Sequence, residues 1–212
     1  READRPEDVG KCLLTIANHF IMLEDYENAL PLYKEAYQLA LEHKSIELQQ
    51  VSGIMLIKYL CGAGYYSESL EYYNKIKPEI AFNPSMQNEV VKSYMELNKP
   101  DSARIYLAAR LLSERGDKIV LNCMMAETYI PEGQEDSAFV FLDRAMKSYK
   151  EKAKNYQKQG REAILPNCFL SPCYLFADLL WKKGKIQQAS QYYMIVEPLM
   201  KERVKTPVRM EL

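Results

Sequence analysis

Apolar residues recur along this chain at helical spacing, and they do so in coupled segments. Between Gly10 and Glu42, Leu13, Ile16, Ala17 and Phe20 share one helical face; beyond Glu24-Asp25, Ala29, Leu32, Tyr33, Ala36, Leu39 and Ala40 share another. The spacing predicts a helix from about Lys11 to Leu23, a short turn, and a second helix from Tyr26 onward. Two amphipathic helices joined by so short a turn fold back on each other as an antiparallel hairpin.

This unit supplies a ruler: Ala17, Phe20, Ala29, Tyr33 and Ala36. Shifted along the chain it fits Ile57, Leu60, Ser69, Tyr73 and Ile76, then Val91, Tyr94, Ala103 and Leu107, failing only at Arg110. It fits again at Ala126, Tyr129, Ala138, Leu142 and Ala145, and at Ala177, Leu180, Ala189, Tyr193 and Val196. Small residues let paired helices approach closely, and the large ones fill the space beside them. The expected fold is all-α, about five antiparallel helix pairs at approximately 10–43, 50–83, 85–116, 118–159 and 171–203, forming a single repeat domain over 1–212.

The register breaks twice. Ala29 to Ser69 spans 40 residues, Ser69 to Ala103 spans 34, Ala103 to Ala138 spans 35, and Ala138 to Ala189 spans 51. The first excess predicts two lengthened facing helices through His43 to Gln50. The second predicts that Lys147 to Gln159 extends the preceding helix, with a connection at Gly160 and Leu165-Pro166-Asn167 and Pro172 in the first turn of the next helix. Asp101 and Asp136 read as standing just before second helices, where a carboxylate accepts backbone N–H groups and meets the positive end of the dipole.

The pattern resembles the tetratricopeptide repeat, whose period is about 34 residues. That family's small residue before the second helix is matched by Ala29, Ala103, Ala138 and Ala189, with Ser69 in its place once. Its glycine before the turn is matched by Gly64 and Gly184, and its closing proline loosely by Pro78 and Pro198; its first-helix aromatic marker has no match. The resemblance covers nearly the whole chain in five units. It implies a right-handed superhelix, a tetratricopeptide-like α-solenoid whose concave face is lined by the first helices, and a scaffold that binds a protein or peptide.

One stripe of each first helix is expected to face that groove: Leu14, Asn18 and Ile21; Ile54, Lys58 and Cys61; Asn88, Lys92 and Met95; Cys123, Glu127 and Ile130; Tyr174, Asp178 and Trp181. The groove residues proposed on this basis are Asn18, Lys58, Asn88, Lys92, Glu127, Tyr174, Asp178 and Trp181. The middle column runs neutral, basic, basic, acidic, acidic, which suits an extended or helical peptide. A subset of the family clamps a C-terminal carboxylate between Lys and Asn; Asn18 matches one position, but Leu14 stands where Lys is needed. A second candidate surface is Lys147 to Arg161, with six basic residues against Glu151, read chiefly as a solvated helix extension.

Composition narrows the function. The chain has 212 residues, 48% hydrophobic and 27% charged, a folded profile. A net charge of -1 provides no global field toward nucleic acid. No apolar run reaches the length of a membrane helix, and no signal peptide is visible at Arg1. Cys12, Cys61, Cys123, Cys168 and Cys173 read as free thiols, with a Cys168–Cys173 bridge the one pairing to check. His19 and His43 fit no zinc spacing, and Cys61-Gly62-Ala63-Gly64 is a turn between helices and lacks the strand of a phosphate loop. We therefore expect no catalytic residues, no metal and no cofactor, a protein or peptide partner, and self-association as a further option. The Asp-Ser-Ala openings and tyrosine-rich units also resemble arrays in membrane-anchored bacterial transcription regulators. On that reading the chain is a sensor segment of a longer signalling protein, periplasmic instead of cytoplasmic.

Overall fold

The computed structural model describes residues 6–76, 86–113, 117–159 and 170–205. Among the described residues there are helices and no strand. In chain order they are α1 (Pro6–Met22), α2 (Tyr26–Glu42), α3 (Ile46–Gly62), α4 (Tyr66–Lys75) and α5 (Gln87–Glu96), followed by α6 (Pro100–Leu112), α7 (Lys118–Glu127), α8 (Glu135–Lys158), α9 (Leu170–Lys182) and α10 (Ile186–Lys205). The chain divides into two compact units, Arg1–Ala103 and Arg104–Leu212, the division falling inside α6.

The repeat is written into the backbone. Six turns share one construction: the amide five residues on bonds back to the carbonyl of Phe20, Ala40, Leu60, Tyr94, Tyr129 or Leu180, at 2.8–3.1 Å. The residue before each donor is in the left-handed region: Glu24, Lys44, Gly64, Asn98, Gly133 and Gly184, with φ between 55° and 85°. This is the Schellman ending of a helix, which satisfies carbonyls the last turn would leave bare. In the five turns that lie within a pair, the donor's own carbonyl then accepts the amide of Ala29, Ser69, Ala103, Ala138 or Ala189. The ruler's second and third positions are thus tied to the same turn, nine residues apart in every pair.

Packing follows from that geometry. In the first unit Ala17, Ala29, Tyr33, Ala36, Leu56, Ile57 and Leu60 have no solvent exposure and form one core with Leu30, Leu48 and Met86. Ser69 replaces Ala because its hydroxyl donates to the Ile57 carbonyl at 2.9 Å, a bond that requires close backbones. In the second unit Ala126, Ala138, Ala145, Ala177 and Ala189 are fully buried, with Leu142, Phe176 and Leu180 beside them. There Phe139 stacks on Phe176 at 5.1 Å. The acidic start of α8 meets the basic end of α9, with Lys182 on Glu135 at 2.7 Å and Lys183 on Asp136, each charge at the helix end whose dipole favours it.

The two register breaks resolve as lengthened helices, except that residues 43–45 form the turn between α2 and α3. α2 and α3 have 17 residues each and α8 has 24. Residue 172 falls in the first turn of α9, and the connection at 160–169 lies outside the described residues. The capping expectation needs correction. Pro100 and Glu135 already begin their helices, so Asp101 and Asp136 are first-turn acids. The acids that cap are Asp25, accepting from Asn28 N at 3.1 Å, and Asp117, accepting from Ile119 N at 2.9 Å. The side chain of Asn28, and then its backbone amide, hold the Asp25 carboxyl below the usual range. Arg110, where the ruler fails chemically, is nevertheless 1% exposed.

Candidate functional site

In the first unit α1 contacts α3 and α3 contacts α5, so three first helices share a side of that unit. Asn18, Lys58 and Lys92 each follow a buried residue, Ala17, Ile57 or Val91, and each is exposed. Asn88 is exposed one turn before Lys92. Lys58 Nζ lies 5.2 Å from the Tyr59 ring centroid and Lys92 Nζ 5.9 Å from that of Tyr66. Neither ammonium has a carboxylate partner among the described residues. Of the flanking positions, Ile21, Ile54 and Met95 are half-buried, whereas Leu14 and Cys61 turn into the packing. Cys61 Sγ donates to the Glu89 carbonyl at 3.6 Å, and burial pushes its thiol pKa up. Leu14, which stands where the carboxylate clamp would need Lys, is part of the core.

Asn18 is already engaged on one side. The buried Tyr33 hydroxyl donates to its Oδ1 at 2.5 Å, and the Tyr33 ring stacks on Tyr59 at 5.2 Å. Burial, then the neighbouring Tyr59, raises the Tyr33 hydroxyl above the ordinary phenol range. The Asn18 amide nitrogen has no hydrogen-bond partner among the described residues.

The second unit holds Glu127, Tyr174, Asp178 and Trp181. Tyr174 and Trp181 are about half exposed, and Asp178 lies between them at helical spacing. Tyr174 meets Tyr193 edge-on at 5.4 Å, and Asp178 pairs with Lys182 at 3.7 Å. Partial burial, then Asp178, raises the Tyr193 hydroxyl. Glu127 differs. Its carboxylate has no partner among the described residues, and desolvation raises its pKa even though solvent reaches the residue. Flanking Cys123 is buried and Ile130 half-buried.

The ruler explains the contrast. Asn18, Asp178 and Glu127 are equivalent in the first helices, as are Tyr33, Tyr193 and Leu142 in the second. Tyr33 donates to Asn18, whereas Leu142, at the equivalent position opposite Glu127, has no hydroxyl to offer. Sequence reasoning treated these tyrosines as fillers, although their phenolic tips were the available signal.

The Lys147–Arg161 segment is largely used by the fold as far as it is described. Lys147 pairs with Asp143 at 2.7 Å, Lys152 with Asp117 at 3.3 Å, and Lys150 lies over the Tyr192 ring. Residues 160 and 161 lie outside the described set, as does Cys168. Cys173 is a buried free thiol, its pKa pushed up to about 12 by burial. Among the described residues no group of His, Cys, Asp and Glu could hold a metal, and no helix is long and apolar enough to cross a membrane.

Comparison with known proteins agrees with this architecture. Residues 170–194 match the family model described as tetratricopeptide repeat. No curated protein sequence matches the chain significantly. Among solved structures, the fold is similar to a point variant of a candidate kinesin light chain from Podosopora anserina with nearly identical TPR-like repeats. That match has a TM-score of 0.64 at 14% identity, covering 97% of this chain and 100% of that one. It is also similar to a thermophilic TPR protein from Thermus thermophilus, with a TM-score of 0.54 at 14% identity, covering 88% and 89% respectively.

Proposed function

We propose that this chain, a tetratricopeptide-repeat-type array, is a non-catalytic scaffold that binds a protein or peptide on the exposed faces of its first helices. The observation that carries the reading is the placement of Lys58 and Lys92. Both stand next to buried core residues on adjacent first helices, and both keep their charge free of any carboxylate among the described residues. Asn18 and Asn88 add amide donors, and Ile21, Ile54 and Met95 add half-buried apolar surface. Such a face suits a partner segment that carries an acidic group beside apolar side chains, because charge-assisted hydrogen bonds and buried area then act together. In the second unit, Tyr174 and Trp181 flanking Asp178 form an aromatic face of the kind that supplies binding hot spots.

The test begins with a photo-crosslinking amino acid placed at Lys58 in the producing cell, with Gln38 on α2 as the control position. Calorimetry then compares the captured partner's binding to the wild type and to the Lys58→Ala, Lys92→Ala double variant at low and moderate salt. The expected result is weaker binding by the variant, most evident at low salt, with unchanged helical circular dichroism. Equal affinities at both salt levels would place binding elsewhere on the molecule.

A further inference from the structure

We propose that the first unit carries a second binding site, on its second-helix side, that takes an arginine side chain of a partner. A cavity of about 500 Å³ opens there between α2, the α3–α4 turn and the start of α4. It is lined by Tyr26, Glu27, Pro31, Lys34, Tyr65 and Glu68, with Leu30 and Ala63 as its apolar floor. None of the first-helix residues assigned above lines it, so the two sites stand or fall separately.

The lining favours a cation with several N–H donors. Of its three charges, Lys34 and Glu68 neutralise one another at 2.7 Å. That leaves the exposed Glu27 carboxylate, which has no partner among the described residues, as the net charge of the wall. Pro31 sits inside α2 and has no N–H, so the Glu27 carbonyl loses its ordinary intrahelical donor on the same stretch of helix. Tyr65 is 54% exposed and offers a ring face, with Tyr26 lining the wall beside it. A carboxylate, a carbonyl without its ordinary helical donor and aromatic walls together match a planar guanidinium, which can stack on a ring and donate in several directions at once.

The site can be read by titrating ¹⁵N-labelled chain with N-acetyl-arginine amide and, in parallel, with the neutral isostere N-acetyl-citrulline amide. The expected result is amide shifts at Tyr26, Leu30, Ala63 and Tyr65 with arginine alone. Glu27→Gln and Tyr65→Ala should each weaken the titration by about three-fold, the scale of one exposed ion pair or one cation–π contact. The Lys58→Ala, Lys92→Ala variant should titrate as the wild type, whatever its effect on the first-helix face. Equal shifts with citrulline, shifts confined to other surfaces, or wild-type affinity in both Glu27→Gln and Tyr65→Ala would overturn the proposal. Equally strong binding of N-acetyl-lysine amide would overturn the assignment to guanidinium.

Discussion

Arg104→Met tests how the second unit holds its first helix in place. Arg104 leaves α6 and reaches the C-terminal end of α7. Its Nη2 donates to the Thr128 carbonyl at 2.7 Å and its Nε to Thr128 Oγ1 at 3.2 Å. The same guanidinium pairs with Glu132 and lies 4.0 Å above the Tyr129 ring centroid. Thr128 has no solvent exposure, and its carbonyl belongs to the set that a helix end leaves without intrahelical donors. Methionine preserves the length of the stem and removes every donor. Stripping the donor from a buried carbonyl costs about 1–3 kcal/mol. The cation–π contact contributes about 0.5–2 kcal/mol, and the partly exposed pair with Glu132 about 1 kcal/mol or less. Thr128 Oγ1 still donates to the Met125 carbonyl at 2.7 Å, so the hydroxyl is not stranded. Because one group makes all these contacts, the terms overlap, and a total loss of about 2–4 kcal/mol is expected in urea unfolding. Added salt should shrink only the Glu132 share. A loss under about 0.5 kcal/mol, the size of an ordinary surface change, would refute this account of the turn.

The helix pairs were legible because close approach constrains residue type. Ala17, Ala29, Ala126, Ala138, Ala177 and Ala189 stand where a larger side chain would push two backbones apart, so their spacing survives in the sequence. The turns were half legible. Glycine announces the left-handed residue at 64 and 184, but Glu24, Lys44 and Asn98 adopt the same conformation without that signal. The helix starts at Pro100 and Glu135 were placed slightly late, because an Asp-Ser opening reads equally as cap or first turn. At the candidate site, periodicity located the polar column but not its partners. Whether a column residue meets a hydroxyl depends on the residue at 33, 142 or 193 in the opposing helix, across a fixed but nonlocal distance. Arg104 left no trace at all in the sequence reading, since its partners lie 24 to 28 residues away on another helix pair.

Three further outcomes are expected. Ala138→Leu should destabilise the chain by about 1–3 kcal/mol, because a fully buried contact between α7 and α8 has no room for three more carbons; an unchanged denaturation midpoint would refute the register. Gly64→Ala should cost about 1 kcal/mol through its φ of +85° alone, as an added Cβ meets nothing within 4 Å, whereas Lys44→Gly should gain a comparable or smaller amount. Matched urea curves would show whether the two shifts have opposite signs. Glu127→Gln tests the desolvated carboxylate through pH. The folded pKa of Glu127 is raised above its unfolded value, so the folded state holds the extra proton between the two. Stability attributable to this group therefore falls as pH rises from the unfolded pKa through the folded one, and the penalty is complete above the folded pKa. The neutral amide escapes it. Glu127→Gln should accordingly be more stable than wild type at neutral pH, with the advantage shrinking as pH falls into the ordinary carboxylate range. A stability difference that keeps the same size across that range would show that the carboxylate is solvated, and that the missing tyrosine hydroxyl at position 142 has no electrostatic consequence.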